Sequence, residues 1–571
     1  MTTLRNQTFL ILDCQTTGMR PSVGQLLEFA WGFASSETKS FDIQSSLLEL
    51  GAGESIPPRV KEITGLKMSD LDFARPLDSV RADFVKSLAD FTAVNGRPVA
   101  LIHYAQFEEA WLKDLLQTTV LPFDLLCTHR ISKKLFPQVP SRNVRGLTGF
   151  FGMRIGEIKR AAQHVLATQL IWRGLVEELT KAGHQTVEDV RAYLVEKPPK
   201  PVKKSAKGAG KNAVMQDPET EKNKKAPPKF SYEYRVDREK RLALPAKPGI
   251  YKMLASNGDI LYVGKATSLR DRVNSYFRGK KGRDPRKLEL MAQVWDFDII
   301  ECASAVEAAL IESDEIKRLN PPYNVSLKEG NRALLYYDHA LTTESLVPSA
   351  DFPVGPFRRF NSIDHMRVFA DGLKRDEIVN VFYQPIEAQV LEDGYALFEE
   401  KYESRFRPDR FSTRCHLAFA LTLLRDHLKI EKLALSEVID DAVDVPQIET
   451  ETEPEYTPAD VLEKIEHLYL RAAETYLRAK RLTHLLHSNV KWVEKGQEKS
   501  LSVRSGKIVN PVPSTDISAT VTPGANGCLW SGLTISDYDR MSVLLSEISK
   551  VDHSIERVGP KNPWSPNTQS L

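Results

Sequence analysis

The stretch Pro248-Gly249-Ile250-Tyr251, followed ten residues on by Leu261-Tyr262-Val263-Gly264-Lys265-Ala266, decides how this chain is read. Between the two apolar runs stands Ser256-Asn257-Gly258-Asp259. Asn-Gly at that position is a strong hairpin signal, because the tight turn needs positive φ at its centre. Two adjacent strands carrying Tyr251 and Tyr262 are therefore expected, with a helix starting near Ser268 and presenting Arg272. Lys265 and the run from Arg270 to Lys287 hold nine basic residues against two acids, Asp271 and Asp284, with Tyr276 and Phe277 among them. A basic face interleaved with aromatics suits a nucleic-acid groove. Arg270, Arg278, Lys280, Lys281, Arg283 and Lys287 are its candidate contacts, although a charge run alone is more often a solvated face. Glu307 to Glu312 reads as a helix, with Glu307 near its start and Glu312 on another face.

Working outward, 571 residues are too many for one hydrophobic core, and three or four domains are expected. The net charge of +2 excludes a uniformly basic nucleic-acid binder, so any such surface is local. Five cysteines (Cys14, Cys127, Cys302, Cys415, Cys528) without a CxxC pair argue against a disulfide framework or a cysteine-rich zinc site. No apolar run is long enough to span a bilayer, and the N-terminus lacks a signal-peptide core, so a cytosolic location is expected. From Lys197 to Lys229 there are ten Lys, six Pro and three acidic residues. Such a segment cannot bury enough surface to offset its ordering entropy and reads as a tether.

Before that seam the pattern is α/β. Strands are expected at Thr8 to Leu12, Leu26 to Ser35, Lys39 to Ser46 and Val99 to Ile102. Helices are expected at Arg81 to Phe91, Gln106 to Leu116 and Glu157 to Leu179. After about Gly330 the pattern is mainly helical. Ser362 and Ser412 are expected N-caps, and Glu437 to Glu466 an acidic loop running into a helix. Thr457-Pro458 should open a long helix reaching about His487. Its apolar positions (Leu462, Ile465, Leu468, Tyr469, Tyr476, Leu485) should pack on neighbours. Val490 to Val509 alternates like a hairpin, and Gly355 to Arg359 reads as a basic, aromatic turn.

The blocks Pro-Gly-Ile-Tyr, Leu-Tyr-Val-Gly-Lys-Ala, Leu-Arg-Asp-Arg-Val-Asn-Ser-Tyr-Phe, Glu-Ala-Ala-Leu-Ile-Glu and Asn-Pro-Pro-Tyr-Asn-Val, in order, resemble the GIY-YIG endonuclease domain. The likeness is greatest to that of the excision-repair nuclease UvrC and its short relative Cho. It covers about 80 residues and implies phosphodiester hydrolysis. Tyr262 is then the expected general base, with Lys265 nearby; Arg272 stabilises charge on the scissile phosphate; Glu312 holds one divalent ion, Mg²⁺ or Mn²⁺. Tyr251, Tyr276 and Asn324 support the network. A free tyrosine is only about 0.1% phenolate at pH 7, so the base needs positive charge beside it. One departure lies past the last block, where Lys328-Glu329-Gly330-Asn331 replaces the Lys-Asp-Asp-Lys of similar proteins.

Three blocks of the N-terminal part, Phe9 to Gly18, His103 to Glu108 and Arg160 to Thr168, resemble the proofreading 3′–5′ exonuclease domain of the bacterial polymerase epsilon subunit. That family holds two metal ions with four carboxylates and uses a histidine base. The resemblance sets Asp13, Gln15, Glu108, Lys159 and His164 at the five key positions, of which only Asp13 keeps the family residue. Site charge falls from about −4 to about −1, too little for two Mg²⁺ ions. A silent exonuclease fold is expected, able to bind DNA ends or a partner such as a polymerase clamp.

The chain is thus expected to be a multidomain α/β protein. An RNase H-like exonuclease fold spans residues 1–195 and a Lys/Pro-rich linker 196–240. A small α/β GIY-YIG domain spans 241–330, and 331–571 is a mainly α-helical region of unknown fold. By resemblance it makes a single cut 3′ to a lesion in double-stranded damaged DNA, in nucleotide excision repair, with a UvrB-like damage-loading protein. A dual nuclease and a non-catalytic DNA-binding adaptor are the competing readings.

Overall fold

Phe9–Thr16 (β1) sits at the centre of a five-stranded sheet because both of its faces are covered. Phe9 and Ile11 enter one core and Leu10 and Leu12 the other, which is why the strand reads as a continuous apolar run. The computed structural model describes residues 3–558 except 52, 154–157, 197–231, 279–283, 325–332, 360, 383, 385, 404, 406–411, 435–455, 510–529 and 531. The expected tether and most of the acidic loop lie outside the described residues. The chain forms two units: Met1–Glu301 with Pro321–Asn324, and Cys302–Asn320 with Val325–Leu571.

In the first unit β1 pairs antiparallel with β2 (Leu26–Ala34), which pairs with β3 (Ile43–Leu47). On its other side β1 runs parallel to β4 (Val99–Ile102), and β4 parallel to β5 (Asp124–Cys127). After α1 (Pro58–Thr64) and a 3₁₀ turn (Met68–Phe73), α2 (Leu77–Asn95) and α3 (Ala105–Leu115) cover one face through Phe84 and Trp111. The other face packs on α6 (Ala161–Lys181) through Trp172 and Leu175. The helices α4 (Thr128–Leu135), α5 (Val144–Phe150) and α7 (Val187–Val195) complete this part.

β3 is shorter than the expected Lys39–Ser46. Gln169 and Arg173 of α6 donate to the Thr38 carbonyl, so this segment bonds to a helix before joining the sheet. α6 begins at Ala161, not Glu157, because Gln163 Oε1 accepts from the N–H groups of Lys159 and Arg160. α7, which the periodicity left unassigned, starts in a Thr186/Asp189 capping box.

The rest of the first unit follows α8 (Arg238–Leu242). β6 (Gly249–Leu254) pairs antiparallel with β7 (Ile260–Ala266) and β8 (Asp296–Glu301) in a three-stranded sheet. The expected turn closes the β6–β7 hairpin, with Gly258 at φ +83°. The helices α9 (Leu269–Tyr276) and α10 (Pro285–Gln293) follow, capped by Ser268 and Asp284.

The second unit contains α11 (Ala305–Leu319) and a small sheet of β9 (Leu334–Tyr337), β10 (Glu344–Ser345) and β11 (Val354–Arg358). Gly355 to Arg358 therefore lies in a strand, not the expected turn, because Phe357 is buried and pairs in register with Leu335. The helices α12 (Ser362–Leu373), α13 (Ala388–Tyr402), α14 (Thr413–Ala434) and α15 (Pro458–Leu485) follow. Asn361, not Ser362, caps α12, since its Oδ1 accepts from both Ile363 and Asp364 N–H. Ser412 accepts from Cys415 N–H as expected. α15 opens at Thr457-Pro458 and buries Ile465, Leu468, Tyr469 and Leu485. Beyond it, β12 (Ser488–Glu494), β13 (Gln497–Arg504), β14 (Lys507–Val509) and, after α16 (Ile535–Ile548), β15 (His553–Arg557) form a four-stranded sheet. The expected hairpin is its β12–β13 pair.

α11 is fastened within this unit by charge. Lys317 Nζ lies 3.0 Å from Asp539 of α16, and Arg540 lies 2.6 Å from Asp314. Ala305 N–H donates to Glu494. The Asp539 side chain is only 2% exposed and that of Lys317 11%. Removing one partner of a buried pair strands the other's charge. Asp539→Ala should therefore destabilise this unit by about 3 kcal/mol, read from urea unfolding, and the double replacement Asp539→Leu/Lys317→Met should recover most of that loss.

Candidate active site

The hairpin register brings the tyrosines together. Tyr251 stands opposite Gly264 and Met253 opposite Tyr262. Two residues apart on β7, Tyr262 and Gly264 leave from the same face. Gly264 must lack a side chain there: a Cβ would lie 2.4 Å from Tyr251 Oη and 2.8 Å from Tyr262 Cε1. Gly249 is equally constrained, with the Ile300 carbonyl 2.3 Å from where its Cβ would be. α9 contributes Arg272 and Tyr276, one helical turn apart on a shared face.

The rings of Tyr251, Tyr262 and Tyr276 form a triangle with centroid separations of 6.0, 6.1 and 6.4 Å. The hydroxyls of Tyr251 and Tyr276 share a 2.9 Å hydrogen bond, and the Arg272 guanidinium lies 5.6 Å from the Tyr276 ring. Tyr251 is fully buried, and burial, followed by its tyrosine neighbours, pushes its hydroxyl well above the ordinary range. It stays a neutral hydrogen-bonding phenol. The hydroxyls around Arg272, Tyr251 foremost, hold that guanidinium in its charged form. Tyr262 is only half-buried, so its ring meets solvent. Among the three tyrosines it is the most exposed.

Asn324 pins the strand beneath Tyr262. Its Oδ1 accepts from Val263 N–H at 3.0 Å and its Nδ2 donates to the Val263 carbonyl at 2.9 Å. Lys265 is three residues beyond Tyr262 on the same strand, opposite Ile250. Arg270, Arg278 and Lys287 are exposed, whereas Lys280, Lys281 and Arg283 lie outside the described residues. Glu312 is half-buried on α11, in the second unit. Glu307 begins that helix and its carboxylate accepts from Ala303 N–H.

The N-terminal cleft gathers its five expected residues around the end of β1. Asp13 lies 3.3 Å from His164 Nδ1. Burial would lower His164, and the Asp13 carboxylate overrides it, holding the imidazole above its ordinary value. The Gln15 amide donates to the Lys159 carbonyl at 2.6 Å, turning its N–H into the protein's own backbone. Glu108 is buried, and burial together with Asp13 pushes it well above the ordinary carboxylate range. His103, in the quoted block but given no role by sequence reasoning, is a buried neutral imidazole bonded to Thr128 and the Arg142 carbonyl.

Comparison with known proteins agrees with this geometry. Residues 247–325 match the UvrC-like GIY-YIG domain. A putative bifunctional exonuclease/endonuclease protein of Mycobacterium tuberculosis is 26% identical over 385 residues, covering 62% of this chain and 50% of that protein. The chain thus spans half the length of that relative. The UvrABC system protein C of a Psychrobacter species is 50% identical over 93 residues, 16% of this chain and 15% of that protein. The GIY-YIG N-terminal endonuclease domain of UvrC from Thermotoga maritima, solved with magnesium, is 29% identical over 15% of this chain and 94% of its own, with a TM-score of 0.14. The chain carries a UvrC-like GIY-YIG domain behind an exonuclease-like domain.

The protonated Glu108 has a consequence for stability. Its folded pKa is raised above the ordinary carboxylate range, so the folded state binds more protons than the unfolded one above that range. Stability from this group is complete below pH 4.5 and is lost as pH rises toward the folded value. Glu108→Gln should flatten the fall of Tm with rising pH, measured by thermal unfolding at a series of pH values from 4.5 upward.

Proposed function

We infer that this chain is a divalent-metal-dependent DNA endonuclease of the UvrC and Cho type, making one incision 3′ to a lesion in nucleotide excision repair. The observation that carries the reading is the packing of Tyr251, Tyr262 and Tyr276 beside the charged Arg272, with Tyr262 the most exposed of the three. Tyr262 takes the proton of the attacking water. It does so as a phenolate, whose own proton Arg272 and Lys265 make easier to lose beforehand, and Arg272 also stabilises negative charge at the phosphorus. Tyr251 and Tyr276 orient the guanidinium, and Asn324 holds the strand.

The residues fit a hydrated magnesium or manganese ion, not a caged one. Among the described residues no group of three or more His, Cys, Asp and Glu side chains is placed to hold a metal ion. Magnesium commonly takes one or two carboxylates and keeps its waters. Glu312 would hold it, and the ion, when bound, neutralises charge on the phosphate. Arg270, Arg278 and Lys287 would meet the DNA backbone. The substrate is damaged duplex DNA, opened by a UvrB-like loading protein.

The N-terminal domain, on this reading, keeps the exonuclease fold without its reaction. Gln15 and His164, at two of the carboxylate positions that the resemblance sets, support that, since two divalent ions need concentrated negative charge. It remains free to dock a polymerase clamp or a DNA end. The name of the mycobacterial relative favours a second reading, a dual nuclease.

A duplex labelled on both strands, bearing one bulky lesion, tests all of this with and without loading proteins. One cut 3′ to the lesion is expected. Tyr262→Phe and Glu312→Ala should slow it by roughly 10²–10⁴-fold while DNA binding persists. Undiminished cutting in either variant would overturn the reading, and cutting by neither the variants nor the wild type would favour the adaptor. Asp13→Ala should leave DNA degradation unchanged; a loss of 3′–5′ degradation would establish the dual nuclease.

A further inference from the structure

The two nuclease-like parts of the first unit are joined by a built contact. α5 of the exonuclease-like domain packs against α10 of the endonuclease domain, and Val139, Phe150 and Ala292 form one buried cluster between them. At Gly149 the helices come so close that a Cβ would lie 2.1 Å from Gln293 Cγ. The Trp295 indole N–H donates to the Gly149 carbonyl at 2.8 Å, and Ser256 Oγ to the Gly152 carbonyl at 2.8 Å. The Arg235 guanidinium lies 4.1 Å from the Phe150 ring and 5.2 Å from that of Trp295. A glycine close approach, an indole bond to backbone and a buried aromatic are features of a fixed seat. Domains that merely share a tether seldom meet this way.

From this seat a line of hydrogen bonds runs to the strand of Tyr262. Asn143, the N-cap of α5, donates through Nδ2 to Glu289 Oε2 of α10 at 2.5 Å. The other oxygen of Glu289 accepts from the Tyr323 hydroxyl at 2.5 Å, and Gln293 donates to the same hydroxyl. Tyr323 N–H donates to the Leu261 carbonyl at 3.1 Å, and the next residue is Asn324, which brackets Val263 on both sides. The segment 323–324 thus holds β7 immediately before and immediately after Tyr262. Burial, and then Glu289, keep the Tyr323 hydroxyl protonated, so the donor in this line is constant.

We propose that the exonuclease-like domain serves the endonuclease as a positioning scaffold, with Asn143, Glu289 and Tyr323 as positioning residues that fix the strand bearing Tyr262. What this domain supplies to the reaction is then its α5 face and not its cleft. The proposal rests on the assignment of Tyr262 as the base. It goes beyond that assignment by making activity depend on a residue of a different domain, more than a hundred positions away in sequence.

Two substitutions isolate the line without removing the seat. Tyr323→Phe deletes only the hydroxyl. Asn143→Asp keeps an oxygen for the Gly146 N–H that Asn143 caps, but replaces the donor to Glu289 with a like charge. Each should lower kcat for lesion-directed cutting by on the order of tenfold with KM unchanged, and the double variant should be no worse than either single one. In full-length protein without DNA, amide exchange at Val263 should quicken in both. Asn143→Gln, which restores a donor, should regain part of kcat. An Asn143→Asp variant with wild-type kcat overturns the proposal whatever the exchange shows, and so do strictly additive losses. If the wild type itself cuts nothing, the nuclease reading falls instead. Exchange at Val263 then decides alone whether Asn143 orders this strand.

Discussion

A missing side chain at Gly264 is the constraint on which the endonuclease site depends. β6 and β7 are ordinary antiparallel strands, and a residue facing Tyr251 across them would normally keep that ring at a distance. With only a hydrogen there, the ring lies over the backbone of β7 and reaches both Tyr262 and Tyr276. A buried phenol must find a hydrogen-bond partner, and Tyr251 finds one in Tyr276. That bond in turn fixes the last turn of α9, from which Arg272 is presented. Water access, charge and orientation at Tyr262 thus follow from one register and one glycine.

The two nuclease-like clefts illustrate opposite uses of burial. In the endonuclease domain the buried groups are phenols, which lose little when desolvated because they stay neutral, and the charge is left to a guanidinium near the surface. In the exonuclease-like domain a carboxylate, Glu108, is buried beside Asp13, and burial and that neighbour both push its pKa up. Asp13 is paired by His164 from within the protein. One cleft leaves a positive charge for a phosphate to meet.

Much of the local structure of the candidate site was legible because its constraints are local. An Asn-Gly turn, two tyrosines on paired strands, and Arg272 and Tyr276 one turn apart on a helix can all be placed from spacing. The long helix after Thr457-Pro458 was legible for the same reason, since proline and a capping threonine act on neighbours in sequence. Asn361 and Ser362 were harder to separate: both are capping residues, and the distinction lies in which side chain reaches the following N–H groups. The sheet at Val354–Arg358 was hidden by Gly-Pro, a pair that reads as a turn until Phe357 is seen buried. The contact of α5 with α10 left almost no signal. Its chemistry is a glycine, an asparagine, a glutamate and a tryptophan from separate elements, none patterned against another in sequence. Tyr323 stood inside a quoted block, but only its partner Glu289 reveals what its hydroxyl does.

The path of the backbone has a further consequence. The chain completes most of its first unit by Glu301, leaves it for α11, returns for Pro321–Asn324, and leaves again. It therefore crosses between units three times, and neither unit is an uninterrupted length of polypeptide. A single protease nick between residues 324 and 325 would leave α11 covalently attached to the first unit. Synthesis order matters as well. The segment that brackets Val263 emerges only after α11 does, so the hairpin of Tyr262 gains its last bracket only once α11 has been made.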